Sequence, residues 1–112
     1  MYATVAWFEI TGQDADAMKA FYSEVFGWSY VAVQPPGYGM VEGAQGGVGP
    51  QGIPGRSWAT FYLAVDDVAA TVERAKAHGG KVLVPPTDLP DGPTIAVIED
   101  QAGNPVGLAR SS

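Results

Sequence analysis

The chain has 112 residues, a net charge of −6, 46% hydrophobic residues, no cysteine and one histidine. That is one compact domain's length, and it excludes disulfide frameworks, thiolate zinc sites, iron–sulfur clusters and cysteine nucleophiles. The six basic residues (Lys19, Arg56, Arg74, Lys76, Lys81 and Arg110) form no stripe, so neither nucleic acid nor an anionic membrane is expected as a partner. With no long apolar segment and no leader pattern, the expectation is a soluble cytoplasmic protein.

Thr4–Ile10 is dense in β-formers and reads as a strand. Met18, Phe21, Tyr22, Val25 and Phe26 then fall at i, i+3, i+4, i+7 and i+8, which is one apolar helical stripe. Asp14 or Thr11 serves as N-cap, and Gly27 as the stop. Trp28–Val33 reads as a strand ended by Pro35-Pro36-Gly37, and Tyr38–Glu42 as a short strand. Gly43–Gly55 reads as a loop with an irregular strand near Val48, its glycines acting as a hinge or linker. The pattern then restarts. Trp58–Val65 is a strand, Asp66 or Asp67 caps a helix striped by Val68, Val72 and Ala75, and Gly79-Gly80 closes it. Lys81–Val84 is a strand stopped by Pro85-Pro86. Thr94–Glu99 and Pro105–Arg110 are strands joined by the turn Asp100–Asn104.

This is an internal duplication. The helices correspond at an offset of 52 residues, Asp14 with Asp66 and Gly27 with Gly79, and the first strands at 53, Trp7 with Thr60. Two βαβββ modules, about 1–55 and 56–112, imply an α+β fold. Its eight strands curl into a cup with the helices outside. Strand alternation puts Phe8 and Ile10 on the helix side, and Val5, Trp7 and Glu9 on the concave side. In the second module Phe61, Leu63 and Val65 take the helix side, and Trp58, Thr60 and Tyr62 the concave one.

At this point the sequence resembles the vicinal oxygen chelate family, which includes lactoylglutathione lyase, bleomycin-resistance proteins and extradiol dioxygenases. The matching pieces are WFEI…AFYSEVFGW, FYLAVDDVAATVERAKAHGGKVLVPP and VIEDQAGNPVGL, in that order across almost the whole chain. The resemblance implies an eight-stranded cup, often completed as a homodimer. In metal-dependent members a His or Glu on the first and last strand of each module holds one divalent ion. Here those positions fall on Trp7, on Thr60, near Gly49–Gln51 and on Gly107. None of these supplies an imidazole or carboxylate, so no metal and no cofactor is expected.

The residues then point to binding. Trp7, Trp58 and Tyr62 offer flat π faces to a planar ligand, with Thr60 beside them and Tyr38 and Met40 at the rim. Glu9, next to Trp7, suits a general base or an anchor for a cation. Arg56 suits an anionic group. His78 ends a helix, where it favours the dipole and points to solvent. Gly47–Gly52 matches GxGxxG, but Ile53-Pro54-Gly55 blocks the helix that a dinucleotide site needs. The leading expectation is a metal-independent binder that sequesters a planar aromatic natural product or drug, cationic ones included, as in antibiotic resistance. A second is a metal-independent isomerase, cyclase or lyase with Glu9 as base and Tyr62 or Thr60 donating to an oxyanion. A third is a divalent-metal lyase or dioxygenase with displaced ligands from Glu9, Glu42, Glu99 or a partner chain.

Overall fold

The computed structural model describes residues 2–33 and 35–111. Its element order is β1 (Thr4–Gly12), α1 (Ala15–Phe26), β2 (Tyr30–Val33), β3 (Tyr38–Val41), β4 (Gly46–Pro50), β5 (Ala59–Val65), α2 (Val68–Ala77), β6 (Lys81–Asp88), β7 (Thr94–Glu99) and β8 (Pro105–Arg110). The fold is α+β: two tandem βαβββ modules, as the duplication predicts. The chain divides into two compact units, one of Trp7–Ala59 and one of Thr60–Ser112 with Met1–Ala6.

In the first unit the strands run in the order β2-β3-β4-β1, with β1 parallel to β4 and the other pairs antiparallel. The second repeats this topology as β6-β7-β8-β5, with β5 parallel to β8. Each helix starts on an aspartate whose carboxylate accepts one of the orphan backbone N–H groups of the first turn. Asp14 takes that of Ala17 and Asp67 that of Ala70, each at 3.0 Å. α1 stops at Gly27, whose φ of 75° is the left-handed conformation that glycine adopts without a Cβ clash.

The strand expected near Val48 is β4, Gly46–Pro50, an internal strand of the first unit, so the glycines there are part of a strand and not a hinge or linker. One reading is corrected. Pro85 and Pro86 do not stop β6, which runs on to Asp88. It lies at the end of the strand order with register shifts between Val82 and Val84 and between Val84 and Thr87. An edge strand has one side of its backbone without a ladder partner, and there proline's missing N–H costs nothing.

The cores differ. In the second unit Val68 and Val72 of α2 meet Ala96 and Leu108, with Leu63, Val65 and Ile98 packed around them. In the first, Val41 and Val48 are buried, but α1 buries no residue. Its Tyr22 instead stacks on Trp28 with centroids 5.1 Å apart, and Trp28 lies 5.8 Å from Phe8. No helix among the described residues is long and apolar enough to cross a membrane.

Candidate functional site

The site is built on the face of the first unit opposite Phe8. Strand register sets its composition. Val31, Met40, Gly47 and Glu9 pair in one row across β2, β3, β4 and β1. One step along, Val33 pairs with Tyr38 and Gly49 with Thr11. Side chains two residues apart share a face, so both rows look the same way, with Trp7 two residues before Glu9.

Glycine in β4 is what lets this face work. A β-carbon at Gly47 would sit 2.2 Å from Cε1 of Tyr38, and one at Gly49 would sit 2.3 Å from Cδ2. The Tyr38 ring therefore occupies the space of two missing side chains. From β3 it reaches across β4 to β1. There its hydroxyl donates to Glu9 Oε1 at 3.2 Å and accepts the indole N–H of Trp7 at 2.9 Å. The Trp58 indole N–H donates to the other Glu9 oxygen, Oε2, at 2.8 Å. Trp58 is held in turn by Thr11: its backbone N–H donates to Thr11 Oγ1 at 3.1 Å, and its carbonyl accepts the Thr11 N–H at 2.8 Å. The donors run one way, Trp7 to Tyr38 to Glu9, so each bond polarises the next. Burial first, and then the charge of Glu9, lift the Tyr38 phenol well above the usual tyrosine range, although the Trp7 N–H works the other way. Tyr38 is thus a neutral O–H donor across the physiological range.

The structure brings Trp7, Glu9, Tyr38 and Trp58 into one hydrogen-bonded network, with Met40 on the same face. Trp58 is only 6% exposed, so it acts here as the clamp on Glu9 and presents little open ring. Thr60 and Tyr62 belong to the second unit. Thr60 donates its hydroxyl to the Pro105 carbonyl, and Tyr62 is 8% exposed with its ring over Gly107. His78 caps α2 on the exposed surface, its Nδ1 2.8 Å from the Arg74 carbonyl. Arg56 sits in a turn closed by its own N–H to the Ile53 carbonyl, and Glu42 is exposed at the end of β3.

The register also fixes the positions at which metal-dependent relatives would carry ligands. Glu9 pairs with Gly47 as Tyr62 pairs with Gly107, so the last-strand position of the first module is Gly47, not Gly49–Gln51. A donor side chain at Gly47 would meet the Tyr38 ring, and one at Gly107 would meet the Tyr62 ring at 2.4 Å. Trp7 and Thr60 are already committed as donors. These residues do not fit a divalent ion. Among the described residues no group of three or more His, Asp or Glu is placed to hold one.

Sequence reasoning missed Gly47, Gly49 and Thr11. The signal for the glycines was present: in the duplication, Gly47-Val48 corresponds to Gly107-Leu108 of a strand that was recognised.

Comparison with known proteins agrees with this architecture. The family model described as the Glyoxalase/Bleomycin resistance protein/Dioxygenase superfamily matches residues 4–108. A Mycobacterium tuberculosis protein named as a candidate glyoxylase, CFP32, is 35% identical over 97% of this chain and 46% of its own length. The anthracycline biosynthesis protein DnrV of Streptomyces peucetius is 31% identical over 88% of this chain and 43% of its own. The chain thus spans about half the length of these two relatives. A solved structure of a methylmalonyl-CoA epimerase variant from Streptomyces coelicolor superposes with a TM-score of 0.66 at 16% identity. It covers 100% of this chain and 96% of that one, a likeness of fold.

Proposed function

Because the chain belongs to the glyoxalase/bleomycin resistance/dioxygenase superfamily, we propose that it is a member that binds a planar aromatic small molecule without a metal. One observation carries this reading. Glu9, Tyr38, Trp7 and Trp58 form a hydrogen-bonded network where a metal-dependent relative needs room for a ligand side chain. Aromatic surface at Trp7 and Tyr38 takes the ring, and Glu9 takes a hydrogen-bond donor or cation at the ring's edge. The likeness to an anthracycline biosynthesis protein supports a polycyclic ligand.

The test is calorimetric titration with an anthracycline, a planar polycycle bearing an amine. Binding is expected with and without EDTA, weakened roughly tenfold by Trp7→Ala. Binding that appears only on adding Zn²⁺, Ni²⁺ or Mn²⁺ overturns metal independence. No binding of any planar aromatic overturns the ligand class.

A second reading makes Glu9 a general base in an isomerase, cyclase or lyase. The clamp that fixes both Glu9 oxygens supports it, since a base must be held in one orientation. Turnover of a bound compound, abolished by Glu9→Gln with binding kept, would favour this reading. The proposal also includes a homodimer. It is supported by the uncovered α1 face, where Phe21, Val25 and Phe26 are all more than half exposed, and sedimentation velocity tests it.

A further inference from the structure

We infer that Gly47 and Gly49 determine specificity: they set the Tyr38 ring as the platform on which the ligand stacks, and they bias the site toward flat ligands with a donor group at one edge. This rests on the binding reading above.

The physical argument begins with β4. A five-residue internal strand with three glycines is poor β material, because glycine loses the most backbone entropy and gives no side chain to pack. Glycine inside a strand often marks a place where something approaches its backbone closely. The two faces answer differently. On the helix face, Gly46 leaves space for the Phe8 ring, 2.1 Å from where a β-carbon would stand, and Val48 is fully buried. On the opposite face, Gly49 leaves space for the Tyr38 ring, and Gly47 leaves space for that ring and for the Gly39 carbonyl oxygen, 2.9 Å from where its β-carbon would stand. Cε1 and Cδ2, opposite corners of its ring, lie against the two empty positions, so the ring spans them along the strand. Its hydroxyl end is pinned by Trp7 and Glu9.

A ring seated in this way has one side supported by backbone and its hydroxyl fixed. It remains partly exposed, flanked by Met40, Val31 and Val33, with Val31 43% exposed and Val33 37%. The surface grades from apolar at the β2 edge to anionic at Glu9. A flat ligand can cover the ring and the valines while placing an amine or hydroxyl at Glu9. A bulky, non-planar ligand can satisfy only one end.

The test uses Gly47→Ala and Gly49→Ala, with Tyr38→Ala alone and combined with Gly49→Ala. The probes are proflavine, a planar cation, and a quinuclidinium ion, a cation of globular shape. The expected result is preference of the wild type for proflavine and a roughly tenfold loss of that preference in Gly47→Ala. In thermal melts, Gly49→Ala, whose β-carbon meets only Tyr38 ring atoms among its nearest neighbours, should lower the Tm in the Tyr38 chain and not in the Tyr38→Ala chain. That cycle reads the seating of the ring without any ligand. Wild-type preference retained in Gly47→Ala, or equal Tm shifts in both backgrounds, overturns the inference and leaves the binding reading standing. Failure of the wild type to bind any planar probe overturns both.

Discussion

The two modules share one chain order and one strand topology, yet they spend their side chains differently. In the second, α2 presses Val68 and Val72 onto Ala96 and Leu108, and the buried cluster is purely apolar. In the first, α1 carries the longer apolar stripe and buries none of it, while the sheet's other face holds a carboxylate among two indoles and a phenol. A duplicated unit can divide labour in this way: one copy supplies a dry core, and the other gives up packing to hold polar groups in place.

The largest break in that contrast should come from the dry core. Leu108 is 1% exposed, and Leu108→Ala removes buried methylenes and leaves a cavity, at about 3 kcal/mol of stability. Urea unfolding measures it. A loss below about 1 kcal/mol would mean that the second module collapses around the gap and is not the rigid partner. In the first unit, to which Trp58 belongs, the corresponding lesion is polar. Trp58→Phe keeps a ring but removes the N–H that holds Glu9 Oε2, and about 2 kcal/mol is expected for a bond to a charged acceptor. Urea midpoints of wild type, Trp58→Phe, Glu9→Gln and the double variant would show whether the loss vanishes once the carboxylate is gone.

The sequence made the modules legible because both kinds of signal repeat. Helix stripes, aspartate caps and glycine stops recur at nearly constant offset, and Thr94–Glu99 and Pro105–Arg110 agree with β7 and β8 to the residue. The site was legible in part. Alternation along TVAWFEI put Trp7 and Glu9 on one face, but nothing in the sequence gives the reach of Tyr38 across β4. That reach depends on absent side chains, and glycine read locally signals a turn. Trp58 was read for its ring, whereas the structure uses its N–H. Side-chain direction at a strand start depends on tertiary partners such as Thr11, 47 residues away.

A smaller effect separates the two helices. Val72→Ala should cost about 1.5 kcal/mol for two buried carbons, whereas Val25→Ala, at a position 54% exposed, should stay within about 0.5 kcal/mol. Both substitutions carry the same helix-propensity gain, so the difference reports burial alone. If Val25→Ala costs as much as Val72→Ala at high protein concentration and little at low concentration, the α1 face is covered by a second copy in solution.

The smallest difference lies in the turns that close each module. In the first, residues 42–45 are closed by backbone, with the Ala44 N–H on the Val41 carbonyl at 3.2 Å. In the second, the Asp100 carboxylate accepts the side-chain amide of Asn104 at 3.0 Å and the backbone N–H groups of Asn104 and Ala102, each at 2.9 Å. These bonds, led by the Asn104 amide, hold its carboxyl below the usual carboxylate range. In the unfolded chain Asp100 regains the ordinary value of 3.8 and takes up its proton first as the pH falls. Its contribution is therefore complete above that value and is lost as the pH drops through the lower folded one. Water screens this exposed carboxylate, so the effect is small. Melting curves between about pH 5 and pH 2 should fall more steeply for wild type than for Asp100→Asn, which keeps an acceptor but cannot titrate. Parallel curves would mean that backbone geometry alone holds this turn, as in the first module.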